Sequence, residues 1–280
     1  MDADVFVPDG GDPAEALART THLCVSAHQD DIELMAYHGI VECFGRRDRS
    51  FTGVVVTDGA GSPRTGIYGA CTEEEMLALR RKEQRKAAYV GEYACQIQLG
   101  YPFPVVRDFG RPEVLDDLVE IFRAARPEVV YLHNPADKHD THVAVGLRSL
   151  AALRALHAES RPRKVYGCEG WRDLDWLPDH CKQTLPVSAH SNLAASLVGV
   201  FDSQVTGGKR YDLAAQGRRL AQATYCDPFQ VDSETALTYA MDLTPLVEHP
   251  TLSISEYVLN FIDQLRTDVA QRLATVGGDV

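Results

Sequence analysis

Short apolar runs alternate with stretches of helical spacing along the first part of the chain. The runs at 22–27, 51–57, 95–100, 128–133 and 164–168 are rich in apolar or β-branched side chains and predict buried strands. Between them, Ile32, Met35, Ala36, Ile40 and Phe44 fall at helical spacing and predict a helix over 31–45. Thr72, with Glu75 three residues later, reads as a capping box opening a helix over 73–91. Further helices are expected over 113–125, ending before Pro127, and over the Ala/Leu-rich stretch 141–157. Strand–helix alternation at this spacing predicts an α/β fold with a Rossmann-like, doubly wound, mostly parallel sheet.

The last third reads differently. Helical patterns cover 190–206 and 209–225, with Gly207-Gly208 between them, and 253–275. Strand signals are few, so a helical C-terminal cap over about 171–280 is expected to pack on a core of about 21–170, the two making one domain. Residues 1–20, with their Pro, Gly and Asp, read as a loosely held arm.

Composition narrows the class. The chain has 280 residues, 45% apolar and 24% charged, as in an ordinary soluble protein. A net charge of −12 argues against nucleic acid and against an anionic membrane surface as partners. No run approaches the ~18 apolar residues of a membrane span. The acidic start, Met1-Asp2-Ala3-Asp4, lacks the features of a signal peptide. Seven scattered cysteines without a Cys-x-x-Cys spacing disfavour a disulfide framework, and a cytoplasmic location is expected.

The chemistry gathers at two strand ends. Ala27-His28-Gln29-Asp30-Asp31 follows the first apolar run, and Asn134-Pro135-Ala136-Asp137-Lys138-His139-Asp140-Thr141-His142 follows the fourth. In a doubly wound sheet, ligands sit beyond the carboxyl ends of the strands, where both clusters fall. The first cluster alone reads more readily as a helix cap with a neighbouring histidine, and the second, with His139 and His142 three apart and Asp137 and Asp140 interleaved, reverses that reading. Together they bring imidazoles and carboxylates to one place, the ligand set of a catalytic zinc site, and point to a metal-dependent hydrolase.

These residues resemble the PIG-L/LmbE-like family of zinc-dependent N-deacetylases. Its marks are an Ala-His-Pro-Asp-Asp-Glu-like motif after the first strand and a His-x-x-His motif after a later one. The similarity extends to Thr57-Asp58-Gly59-Ala60-Gly61 and Arg80-Arg81-Lys82-Glu83, and covers roughly residues 20–170. It implies one Zn2+ per chain on His28, Asp31 and His142, with Asp30 as general base. It makes His139 the group that steadies the oxyanion, as an imidazolium, or protonates the leaving amine. Asp137 or Asp140 would orient one of the two histidines from behind. The implied substrate is an N-acetylated amino sugar, such as an N-acetylglucosamine conjugate, and the resemblance leaves a homo-oligomer open. Gln29 stands in place of the motif's proline and is expected to loosen the corner.

Other residues carry weaker signals. Arg64 and Asp58 are candidates for substrate contact, each weighed against a plain loop role. His133 and Asn134 border the site, His133 reading as a core histidine. Trp171 and Trp176 could stack on a sugar or fill the core. Gly207-Gly208-Lys209-Arg210 reads as a helix break rather than a phosphate grip. The rival functions are an amidase acting on a larger conjugate and a non-catalytic Rossmann-like carbohydrate- or nucleotide-binding protein. Against the latter, no Gly-x-Gly-x-x-Gly follows the first strand, and Asp30 and Asp31 would repel a pyrophosphate.

Overall fold

The computed structural model describes residues 3–277. Eight strands form one sheet: β1 (Asp4–Phe6), β2 (His22–Ser26), β3 (Phe51–Thr57), β4 (Cys95–Tyr101), β5 (Val129–His133), β6 (Lys164–Cys168), β7 (Lys182–Pro186) and β8 (Leu237–Asp242). Their order across the sheet is β1-β4-β3-β2-β5-β6-β8-β7. Strands β4, β3, β2, β5 and β6 run parallel. The five runs expected to be strands are these five, and the fold is the expected α/β with a mostly parallel sheet.

Every residue of β2 and β3 is buried, as required of parallel strands covered on both faces. Alternation sorts their side chains. Leu23, Val25, Val54 and Val56 join one core with Val114, Leu118 and Phe122 of the helix Glu113–Ala125. Cys24, Phe51 and Val55 join the other, with Ile32, Tyr37 and Ile40. The capping box at Thr72 and Glu75 is present and opens the helix Glu73–Val90. All seven cysteines are free.

Three expectations need correction. The segment read as a loosely held arm is part of the fold where it is described: β1 pairs antiparallel with β4, and Asp12 caps the helix Pro13–Ala18, whose Ala16 is buried. Met1 and Asp2 lie outside the described residues. The region read as a helical cap with few strand signals also contributes β7 and β8, which extend the sheet antiparallel beyond β6. It ends in the helix Ile254–Val276. The helix expected over 31–45 is two, Asp31–Met35 and Tyr37–Cys43. Arg219 Nη2 takes the carbonyls of Glu33 and Leu34, which a continuous helix would offer to the amides of residues 37 and 38.

The sheet order reverses direction at β2, with β3 on one side and β5 on the other. This is the topological switch point, where the connecting chain leaves in opposite directions and a crevice opens. Both His/Asp clusters sit there.

Candidate metal centre

The corner after β2 is shaped by its neighbours. Thr57 closes onto it, its amide and its hydroxyl both donating to Ala27 O at 3.0 and 2.8 Å. Asp30 adopts φ 90°, a left-handed conformation that costs energy in a non-glycine residue and persists only where the surroundings impose it. They do so here: its amide donates to Gln84 Oε1 at 3.2 Å, and Arg80 Nη2 reaches both its carboxylate, at 3.1 Å, and the Gln29 carbonyl. Gln29 does not loosen the corner as expected. It is buried, and its amide nitrogen bridges to Gln98 Oε1 of β4 at 3.3 Å.

From that corner His28 and Asp31 face the segment after β5. Asp31 Oδ2 lies 3.2 Å from His28 Nδ1 and 3.3 Å from His142 Nε2. Ligand atoms of these three residues all lie within 4.8 Å of one another. His142 sits in the first turn of the helix Asp140–Arg154 and donates Nδ1–H to Asp137 Oδ2 at 3.0 Å. With Nδ1 held there, Nε2 is the ring atom turned to the centre, buried and without a hydrogen-bond partner. Two imidazole nitrogens and one carboxylate oxygen on one side of an open cavity suit a divalent cation of the zinc type.

Asp137 is the anchor of this arrangement. Its Oδ1 accepts from the amides of Lys138 and Arg172 at 2.6 and 3.1 Å, and its Oδ2 from Trp171 N at 3.1 Å as well as from His142. Burial works against its charge, but His142 and these donors hold its pKa down at about 2. Gly170 makes the approach possible, since a Cβ there would fall 2.3 Å from Asp137 Oδ2 and 3.1 Å from His142 Nδ1. Asp140, the other residue expected to orient a histidine, is exposed and contacts neither.

His133, Asp137 and His142 form a second cluster of possible ligands. It is less open to a cation: Asp137 is saturated, and His133 Nε2 accepts from Ala27 N at 2.9 Å. Burial, with His142 nearby, lowers the His133 pKa to about 4, so it stays neutral as a core histidine.

Charge is divided sharply between adjacent carboxylates. Burial opposes ionisation of Asp31, but His142, His133 and His28 hold it well below the ordinary carboxylate range. Asp30 is pushed up to about 7 by burial, against the pull of Arg80 and with the charge of Asp31 adding to the rise. A pair of carboxyl groups held this far apart in acidity is the usual signature of a division of labour, one binding and one exchanging protons. His139 stands beside both imidazoles, its ring 4.5 Å from His142 and 5.2 Å from His28. Burial and these two neighbours lower its pKa, which disfavours the resting imidazolium expected of it.

The centre opens into a cavity of about 530 Å³ lined by His28, Asp30, Asp31, Asp58 and His139, with Trp171, Lys209 and Tyr211 on the facing wall. Asp58 takes the loop role, accepting from Ala60 N at 2.9 Å, and its side of the loop also lines the cavity. Arg64 is not brought to the cavity; it is held by Cys71 O and lies 3.7 Å from Glu73. Trp171 belongs to the cavity, whereas Trp176 packs against the core. Gly207-Gly208 does separate two helices, Asp202–Val205 and Tyr211–Tyr225, and a Cβ on Gly207 would fall 2.0 Å from Ser203 O. Lys209, just after it, lies 4.8 Å from the Trp171 ring centroid. Tyr211 carries no motif and was not anticipated; the only signal for it was its place just after that glycine pair.

Residues 23–153 match the family model described as PIG-L: GlcNAc-PI de-N-acetylase. No curated protein matches the chain. Among solved structures it is similar to the conserved protein TT1542 from Thermus thermophilus, with a TM-score of 0.62 and 21% identity over 84% of this chain and 99% of that one. It is also similar to GalB, the 4-carboxy-2-hydroxymuconate hydratase from Pseudomonas putida, with a TM-score of 0.60 and 18% identity over 80% and 95%. A third is the N,N'-diacetylchitobiose deacetylase from Pyrococcus horikoshii, with a TM-score of 0.58 and 16% identity over 79% and 83%. At these identities the structures establish a shared fold.

Proposed function

We propose, for a chain whose residues 23–153 belong to the PIG-L family, hydrolysis of the N-acyl bond of an acylated amino sugar or sugar conjugate, with acetyl as the family's acyl group. The observation that carries this reading is the unpartnered Nε2 of His142, set against His28 and Asp31 at the base of a cavity large enough for a sugar. A zinc ion held by these three residues would polarise the amide carbonyl and lower the pKa of a bound water to about 7.

The chain's own groups then divide the remaining work. Asp30 lines the cavity one residue from Asp31, and its carboxylate accepts the proton of the attacking water. Arg80 keeps that carboxylate in place through a charge-assisted hydrogen bond. His139, neutral at rest, donates a hydrogen bond to the developing oxyanion or passes a proton to the leaving nitrogen. Trp171 offers a flat face to the sugar ring. Asp137 takes no part in proton transfer and acts by holding His142 in its ligating tautomer.

The test is a panel of N-acetylated sugars and sugar conjugates incubated with zinc-loaded protein and assayed for free amine. Release that disappears on chelation and returns with zinc is the expected result. No amine from any member of the panel, with zinc bound, overturns the reading. The described residues include no helix long and apolar enough to cross a membrane.

A further inference from the structure

A second pocket, of about 210 Å³, lies beyond Trp171 and Tyr211. It shares those two residues and Asp31 with the larger cavity, so the two meet at the metal centre. His142 also lines it. Its apolar lining is Leu34, Met35, Ala214 and Ala215. Its volume exceeds the ~150 Å³ of a cavity that can hold benzene, and is far more than the methyl of an acetyl group needs.

The polar lining of this pocket is unusual for an apolar slot. Arg218 and Arg219 both contribute to it. Arg218 spends Nη1 on Gly170 O at 2.7 Å, and Arg219 spends Nη2 on Glu33 O and Leu34 O while lying over the Tyr37 ring. Neither forms an ion pair among the described residues, and a guanidinium has five N–H groups to place. Glu169 is the acid in the pocket besides Asp31, and its capacity is taken. Its Oε1 accepts from Leu174 N and Gln222 Nε2, its Oε2 from Thr238 Oγ1 and Tyr239 N. Guanidiniums left unpaired beside an apolar wall suit a short carbon chain that ends in an anion.

We propose that this pocket receives the acyl side of the substrate, and that the acyl group ends in a carboxylate, as in a succinyl amide, with Arg218 as its receptor. The inference rests on the amide hydrolysis proposed above. Water adds across the C–N bond, the amine leaves with one proton, and the acyl group departs as a dicarboxylate. The larger cavity is then left to the amine-bearing sugar. Arg219 is buried and tied to the helix Asp31–Met35, so it supplies field and shape, while Arg218 is the group free to close on the ligand.

Three amides of one amino sugar, N-acetyl-, N-butanoyl- and N-succinylglucosamine, separate the possibilities. The succinyl amide is expected to exceed the butanoyl amide in kcat/KM by about 10-fold or more, the size of one charge-assisted pair. Arg218→Met should lower the succinyl value about 10-fold further than it lowers the butanoyl value, and Arg218→Lys should keep part of the preference. Calorimetry with free succinate and free butanoate gives a readout independent of turnover, and only succinate should bind in an Arg218-dependent way. Butanoyl equal to or better than succinyl, or an Arg218→Met variant that lowers all three alike, overturns the proposal while leaving the hydrolase reading intact. If no amide is cleaved but succinate still binds through Arg218, the hydrolase reading falls and the anion pocket stands.

Discussion

Replacing Asp137 by Asn tests whether the residue behind His142 governs the metal centre. The carboxylate accepts four hydrogen bonds, from Lys138 N, Arg172 N, Trp171 N and His142 Nδ1. An asparagine side chain has one acceptor oxygen, so whichever way it turns, two of these donors face an N–H group. A stranded buried donor costs about 1–3 kcal/mol, which puts the loss of folding stability at about 2–4 kcal/mol once water reaches the half-buried Trp171 and Arg172 amides. The effect on the metal is separate. Without the carboxylate, His142 loses the partner that fixes its tautomer and raises its basicity, and zinc affinity should fall about 10–100-fold. Chelator competition on the folded variant measures the second effect and urea unfolding the first. A folded Asp137→Asn protein with unchanged zinc affinity would refute the argument.

Three further outcomes follow from the same geometry. Asp30→Asn should bind zinc as the parent does and lose about 10²–10⁴-fold in kcat, as expected on removing a general base; metal loss in that variant would make Asp30 a ligand. His139→Ala should cost about 2.7–4 kcal/mol in the transition state with zinc content unchanged, and near-normal kcat would leave His139 a bystander. The third concerns acid stability. Burial, with Arg49 and His38 nearby, lowers the His22 pKa from 6.5 to about 4, so between those values the unfolded chain takes up a proton that the folded chain refuses. The stability this gives is present above about pH 6.5 and is lost as the pH falls to about 4, amounting to about 3 kcal/mol. Denaturant unfolding across that range should show a shallower pH slope for His22→Gln, and parallel slopes would contradict the assignment.

Much of the frame was legible because it depends on local pattern. Strands β2, β3 and β5 announce themselves as apolar runs, since a strand covered on both faces needs no polar alternation, and β4 and β6 show as shorter apolar or β-sheet-favouring segments between turn signals. The edges were not legible. Strand β7, Lys-Gln-Thr-Leu-Pro, buries only Leu185 and carries no apolar run. Strand β1 has three residues and pairs on one side. The His/Asp clusters were visible for a similar reason: each sits within a few residues of a strand end, and the switch point joins them. Which carboxylate would stand behind His142 could not be read. Asp137 and Asp140 both lie close in sequence, and the choice depends on Gly170 letting a distant segment approach. The wall formed by Trp171, Lys209 and Tyr211, and the guanidinium of Arg218, come from the C-terminal region, whose placement no local pattern specifies. Arg64 misled for the opposite reason, because its loop suggested a substrate grip and its partners turned out to be Cys71 O and Glu73.

The most direct test of the central claim is the number of zinc equivalents retained per chain after exhaustive dialysis of zinc-loaded protein. The parent and His139→Ala should each retain about one, and His142→Ala, which removes the unpartnered Nε2, should retain none while remaining folded by circular dichroism. Full retention by folded His142→Ala, or no retained zinc in the parent, would contradict a metal centre built on His28, Asp31 and His142.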